Sequence, residues 1–245
     1  MTNAGDAMMQ KLIVLSTGAY KAALDDILAM FSRETGFDAR AVYDSATAVA
    51  ARIEGGEDFD AVISTASLVA GLAARGLVAG ARVAAGVNEV CLAYRAGSAP
   101  PDMTTPDRLR ETLLAAASIS LSDPQHGGGS SKYFMEIAAS LSIVDALRAK
   151  FLFTPGGQGA VPVGAGMAEL GVAQTSEIAA VAGAAAVPLL PGRPGSSVTY
   201  ELGLSAAASP AAHRLAAFIG APAAIAIRRT CGLERVGIQE QSSPL

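Results

Sequence analysis

Leu12-Ile-Val-Leu15 is a short unbroken run of branched apolar residues, the pattern of a strand buried on both faces. The small polar loop Ser16-Thr17-Gly18 follows, and then the period lengthens. Ala23, Leu24, Ile27, Met30 and Phe31 recur on one face, while Lys21, Asp25 and Asp26 fall outside it. This spacing predicts an amphipathic helix, ended at Thr35-Gly36 where glycine accepts the left-handed backbone that closes helices. The cycle repeats with Ala39 to Tyr43 as strand, Asp44 to Thr47 as turn, and a helix carrying Val49 and Ile53 that stops at Gly55-Gly56. A third strand, Ala61 to Ser64, leads into a helix over Leu68 to Leu77.

The pattern then starts afresh. Val87 to Tyr94 is predicted as strand, Asp107 to Ala116 as helix and Ser118 to Leu121 as strand. A polar loop over Ser122 to Lys132 precedes a helix over Tyr133 to Ala149. A short helix over Gly164 to Leu170, a strand over Val172 to Gln174, and strands over Ala186 to Leu190 and Val198 to Ser205 follow. The last helix covers Ala211 to Ile219, and Pro222 interrupts what comes next. Strands alternating with helices at this spacing predict an α/β fold, a mostly parallel sheet with right-handed crossovers. In such sheets ligands sit beyond the carboxyl ends of the strands. That rule selects the first two loops, with Ser16, Thr17, Ser45 and Thr47 as candidate ligand-binding hydroxyls.

Composition narrows the function classes. With 51% hydrophobic and 16% charged residues the chain is expected to be globular. A formal charge of −4 and no cluster of Lys or Arg exclude nucleic acid as the expected partner. Cys91 and Cys231 match no metal or redox spacing and are expected as two buried thiols. No metal site or cofactor is expected: a Walker loop, a dinucleotide fingerprint and a His/Cys cluster are all missing. Gly, Pro and charged residues break every apolar run, so no membrane insertion is expected. Residues 1–11 lack a basic stretch followed by a long apolar one, which predicts a cytoplasmic protein, or a periplasmic one if a leader precedes this sequence. A transporter partner is not expected of a cytoplasmic chain.

The loop Gly127-Gly-Gly-Ser-Ser-Lys-Tyr133 carries the strongest chemical signal. Its glycines, Gly128 and Gly129 among them, let backbone approach a ligand, and Ser130 or Ser131 is placed to cap the helix that follows. Free N–H groups at a helix start, with the helix dipole, favour an anion, and Lys132 adds a formal positive charge. His126 is a candidate proton carrier or a brace for its own loop. Tyr20 and Tyr133 either face the ligand or pack beneath it. Arg193 lies in a Pro/Gly turn and is expected on the surface.

Four phrases in order resemble the periplasmic molybdate-binding solute proteins, over about Lys11 to Leu233. They are Ile53-Glu-Gly-Gly56, Asp60-Ala-Val-Ile-Ser64, Asp123-Pro-Gln-His126 and Gly171-Val-Ala-Gln174. The resemblance implies a type II periplasmic-binding fold: two hinged lobes, joined by strands crossing near Gly86 to Tyr94 and Ser196 to Ser205, with a small anion held between them. It implies a discontinuous first lobe (10–86 and 200–237), a second lobe (87–199), and frayed termini at 1–9 and 238–245. It also places Gln174 and Thr175 at the site, Gln174 standing where the family often has tyrosine. The two serines with which the family holds its oxyanion fall on Ala19 and Ala46 here, so a rebuilt site is expected.

Two functions follow as expectations. The first is binding of a small oxyanion or (poly)carboxylate. The second is an isomerase or tautomerase shifting a proton along an unsaturated polycarboxylate, since aconitate isomerase is similar in fold to this family. That chemistry needs an acid/base within hydrogen-bond reach of an acidic carbon, and His126, Lys132, Tyr133 and Tyr20 are the catalytic candidates.

Overall fold

A computed structural model describes residues 11–123, 129–190 and 192–234. The chain opens with β1 (Lys11–Thr17), α1 (Lys21–Thr35), β2 (Asp38–Asp44), α2 (Ala46–Glu54), β3 (Ala61–Thr65) and α3 (Ala66–Ala74). Next come β4 (Val78–Arg95), α4 (Pro106–Ala115), β5 (Ile119–Ser122), α5 (Gly129–Ser140), α6 (Val144–Leu147) and β6 (Phe151–Thr154). The remainder is α7 (Val161–Gly164), β7 (Leu170–Gln174), α8 (Thr175–Ala179), β8 (Ala184–Pro188), β9 (Ser197–Ser205), α9 (Pro210–Ile219) and α10 (Pro222–Thr230).

The chain divides into two compact units, one ending at Gly86 and resuming over Thr199–Arg228, the other formed by Val87–Val198 and the stretch from Arg229. In the first, β1 lies parallel between β2 and β3, and β9 runs antiparallel along β3. One face of this sheet carries a core of Leu15 and Val62 with Val49, Ile53, Val69 and Leu72 from α2 and α3. α1 buries Ala23, Leu24, Ile27, Leu28 and Phe31, with Phe31 edge-on to Phe218 of α9 at 5.5 Å. At Gly203 on β9 a β-carbon would lie 2.6 Å from Val78 and 2.9 Å from Val69. Only glycine lets that strand pass so close.

In the second unit β5 is parallel to β6 and β7, while β4 runs antiparallel to both β7 and β8. Its core gathers Leu92, Leu109, Leu113, Ile119, Leu121, Phe134, Ile137, Leu147 and Val172. Cys91 sits fully buried on β4, paired with Ala173 on one side and Pro188 on the other. Burial, with Glu89 nearby, pushes its thiol up to about 12. Cys231 is half-buried and neither cysteine is in a disulfide, so the expectation of two buried thiols holds for Cys91 only.

Several sequence expectations differ from the structure. The helix expected over Tyr133 to Ala149 ends at Ser140, turns through Ser142 in left-handed backbone (φ 56°), and resumes as α6. Leu141, Val144 and Leu147 continue the apolar period across this break because they pack on the same core. The strand β6 behind them went unread. α7 precedes the position expected for the short helix, and Leu170 already belongs to β7. Pro222 does not interrupt but opens α10, since proline costs nothing at a helix start where its missing N–H would be unpaired. The stretch from Arg229 groups with the second unit, whereas the sequence reading carries the first lobe to 237. There the Leu233 carbonyl accepts the Val87 N–H at 2.9 Å. The frayed termini expected at 1–9 and 238–245 lie outside the described residues. Among the described residues no single helix is long and apolar enough to cross a membrane.

Candidate functional site

On the first unit, the carboxyl ends of β1, β2 and β3 bring Thr17, Asp44 and Thr65 to one pocket of about 460 Å³. Gly18, Ala19, Ser45, Ala46 and Tyr200 complete its wall. The Ser45 hydroxyl accepts the Ala48 N–H at 3.2 Å and caps α2, and the Thr65 hydroxyl accepts the Leu68 N–H at 3.4 Å and caps α3. Each cap satisfies one of the N–H groups that a helix start leaves open. Thr17 differs. Its hydroxyl is buried and has no hydrogen-bond partner among the described residues. Asp44 accepts the Ser45 N–H at 2.8 Å, and Arg52, forked onto Glu57 at 2.6 Å, lies 3.8 Å from its carboxylate.

Two expected donors lie elsewhere. Ser16 is fully buried, with its hydroxyl 3.4 Å from the Thr17 carbonyl. Thr47 is exposed on the first turn of α2 and does not line the pocket. Tyr20 is a core residue: fully buried, it donates to the Ala85 carbonyl at 2.5 Å and packs on Tyr200 with ring centroids 5.6 Å apart. A phenol so engaged is a brace beneath the pocket and not a proton carrier facing it.

On the second unit, Ser130 and Ser131 are buried in the first turn of α5, and the Ser131 hydroxyl has no partner among the described residues. Lys132 follows them, exposed. His126 and Gly128 lie outside the described residues; Gly129 opens α5 with no atom within 4 Å of where a β-carbon would stand. The Tyr133 hydroxyl lies 3.5 and 3.4 Å from the carbonyls of Leu189 and Leu190, and its ring packs where a β-carbon on Gly195 (φ 86°) would meet it at 3.2 Å. Burial raises its pKa, opposed by Arg193 and a hydrogen bond with Ser196. Arg193 is exposed, as expected.

At the end of β7, Asn88 organises the neighbouring loop. Its side chain donates to Gln174 Oε1 at 3.0 Å and Ser176 Oγ at 2.8 Å. It accepts the Thr175 hydroxyl at 2.8 Å and the Ser176 N–H at 3.1 Å. Thr175 also accepts the Glu89 N–H at 3.0 Å, so its hydroxyl is wholly committed to the protein. Glu177 accepts the Gln174 N–H at 2.9 Å, and burial raises its carboxyl above the ordinary range. Sequence reasoning missed Asn88 and Thr65, and it selected the loop that Asp44 opens without naming the carboxylate. Thr65 had a signal, a hydroxyl at a strand end before a helix; Asn88 had none.

One regularity covers both units. Of the described residues, Thr17, Ser64, Ser131 and Thr154 carry buried hydroxyls without partners. All four stand at the carboxyl end of a parallel strand or in the first turn of the helix that follows. Among the described residues no three metal-ligating side chains come together.

Two α/β units with polar loops beyond the carboxyl ends of their parallel strands define the class of periplasmic-binding-like folds. The bacterial extracellular solute-binding proteins match residues 12–234, and the chain belongs to that family. Over 200 residues it is 30% identical to an aconitate isomerase of a Pseudomonas species, covering 78% of this chain and 74% of that one. The substrate-binding domain of a molybdenum ABC transporter from Clostridium difficile shares the fold, with TM-score 0.77 and 19% identity over 93% of this chain and 99% of that one. The periplasmic molybdate-binding protein of Azotobacter vinelandii does so with TM-score 0.63 and 18% identity, over 92% and 100%.

Proposed function

We propose that this chain binds a small anionic solute and prefers a di- or tricarboxylate to a tetrahedral oxyanion. The Thr17 hydroxyl carries this reading. Leaving a buried hydroxyl unsatisfied costs about 1–3 kcal/mol, and such groups persist where a ligand supplies the partner. Thr17 lines the pocket at which the starts of α2 and α3 converge, and helix starts favour negative charge. The preference for carboxylates comes from the wall. Ala19 and Ala46 present methyl groups suited to a carbon skeleton, and Asp44 disfavours a compact dianion while accepting a hydroxyl or a protonated carboxyl. On the second unit, Ser131 and the exposed Lys132 offer donors of the same kind.

Calorimetry with trans-aconitate, citrate and molybdate tests the proposal. Carboxylate binding should weaken about tenfold or more in Thr17→Val and in Lys132→Ala, each having lost a hydrogen bond to a charged group worth about 1.5–3 kcal/mol. Tightest binding of molybdate would overturn the preference. Residence in the cytoplasm belongs to the same proposal, and fractionation of cells expressing the natural reading frame tests it.

The identity to an aconitate isomerase favours a second reading, proton transfer on an unsaturated polycarboxylate. With Tyr20 engaged in the core and Tyr133 turned to backbone carbonyls, Lys132 and His126 are its acid/base candidates. Exchange of carbon-bound protons of trans-aconitate with solvent deuterium, lost in Lys132→Ala or His126→Asn while binding persists, would establish it. No exchange in the parent leaves binding alone.

A further inference from the structure

We infer that Asn88, acting with the Glu177 N–H that the Gln174 side chain caps, is a positioning residue that fixes the Gln174 amide with its NH2 edge uncommitted, making Gln174 an obligate hydrogen-bond donor to the solute. The inference rests on the reading that the solute is anionic. The two ends of an amide have nearly the same shape, so hydrogen bonds must decide which faces where. Here backbone decides. The Ser176 N–H can only donate, so the Asn88 atom 3.1 Å from it is Oδ1. The Thr175 oxygen already accepts the Glu89 N–H, and its proton therefore goes to the same Oδ1 at 2.8 Å.

The other end of Asn88 is then Nδ2, a donor twice over, to Ser176 Oγ at 2.8 Å and to Gln174 at 3.0 Å. The Gln174 atom that receives it is Oε1. Turning the Gln174 amide around would set two NH2 groups against each other. Nε2 has no acceptor among the described residues, and it belongs to the last residue of β7, at the carboxyl end of a parallel strand. All four hydrogen-bonding positions of the Asn88 amide are filled, so Asn88, buried and out of a solute's reach, acts only through Gln174.

Asn88→Asp tests this with an isosteric side chain. An ionised carboxylate cannot donate to Oε1 but accepts strongly from an NH2 group. This charge-assisted bond outweighs the neutral one that the Gln174 side chain takes from the Glu177 N–H, so the Gln174 amide turns and presents its oxygen to the solute. Affinity for trans-aconitate should fall about tenfold or more at neutral pH. The ratio of parent to variant affinity should close as pH falls and the introduced carboxyl takes up the missing proton. A merely structural role gives a ratio that does not depend on pH, and that result would overturn the inference.

A second measurement needs no ligand. The side-chain NH2 signals of Gln174, assigned by their loss in Gln174→Glu, should exchange rapidly with water in the parent and slowly in Asn88→Asp, where the turned amide donates inward. Equal exchange in the two would also overturn the inference. Failure of the parent to bind trans-aconitate counts instead against the proposed ligand class, and the exchange rates still decide the orientation. Should Asn88→Asp not fold, Gln174→Glu leaves Asn88 intact and sets an oxygen where the donor stood. It should bind trans-aconitate more weakly than Gln174→Ala, and equal or tighter binding would refute the donor role.

Discussion

On the first unit the hydroxyls that cap a helix answer to that helix alone. Ser45 and Thr65 accept N–H groups three residues onward, and Thr17 has no partner among the described residues. On the second unit Gln174, Thr175 and Ser176 all answer to Asn88, a residue 86 to 88 positions earlier. The same strand, loop and helix grammar is thus wired locally in the first unit, while in the second the local capping box of Gln174 and Glu177 is overlaid by a tertiary network. A local cap forms with its helix and can change without disturbing its neighbours. A network of mutually oriented amides and hydroxyls is strong when every member is satisfied and fragile when one is lost.

The largest expected effect breaks the network. Asn88→Leu leaves Thr175, Ser176 and the Gln174 carbonyl oxygen without their partner in a buried setting, and urea denaturation should show a loss of about 3 kcal/mol or more. A loss near that of a single cap would mean the two units are wired alike. Next, the pair of threonines sharpens the contrast. Thr175→Val should cost about 1–3 kcal/mol by stranding the Glu89 N–H and Asn88 Oδ1. Thr17→Val should cost nothing or stabilise the unliganded protein, because it removes a hydroxyl that has no partner among the described residues. Equal losses at both positions would show that Thr17 is tied down after all.

Ser45→Ala and Thr65→Ala should each cost about 1 kcal/mol, as helix caps do. Their double variant should lose the sum within about 0.5 kcal/mol if the caps are independent. The smallest effect concerns Asp25, which holds Tyr43 at 2.5 Å and Lys21 at 2.6 Å beside the ligand end of β2. Burial opposes its ionisation, but those two hydrogen bonds outweigh burial and hold its pKa below the usual value. Its contribution is therefore present above the unfolded carboxylate pKa near ~3.9 and is lost as pH falls through the lower folded value. Because the pair is about half exposed, Asp25→Asn should cost under about 1 kcal/mol at neutral pH. The difference from the parent should shrink with acid and with salt, and a constant difference across pH 2–7 would contradict this origin.

The sequence displays local wiring and hides the tertiary kind. Apolar periods and glycine stops made β1 to α3 legible to within a helical turn, since each is encoded by its own side chains. Thr17 and Ser45 were legible for the same reason, hydroxyls where a strand gives way to a helix. Tyr20 was not, because only the fold brings the Ala85 carbonyl to its hydroxyl across 65 positions. Asn88 lies inside an apolar strand pattern and shows no sign of its partners until β4 and β7 are paired. β6 was hidden by a break at Ser142 that the apolar period runs through undisturbed.

Cys91, held between β7 and β8 with its thiol pushed up to about 12, makes the protein its own clock. Only the thiolate attacks a labelling reagent, so at neutral pH this sulfur stays silent while its strand neighbours hold. Half-buried Cys231 supplies a second thiol in the same sample, reporting the opening of the turn after α10 on its own time base. The delay between the two labels would then measure how long the sheet carrying Asn88 survives after the periphery has opened, without a single engineered residue.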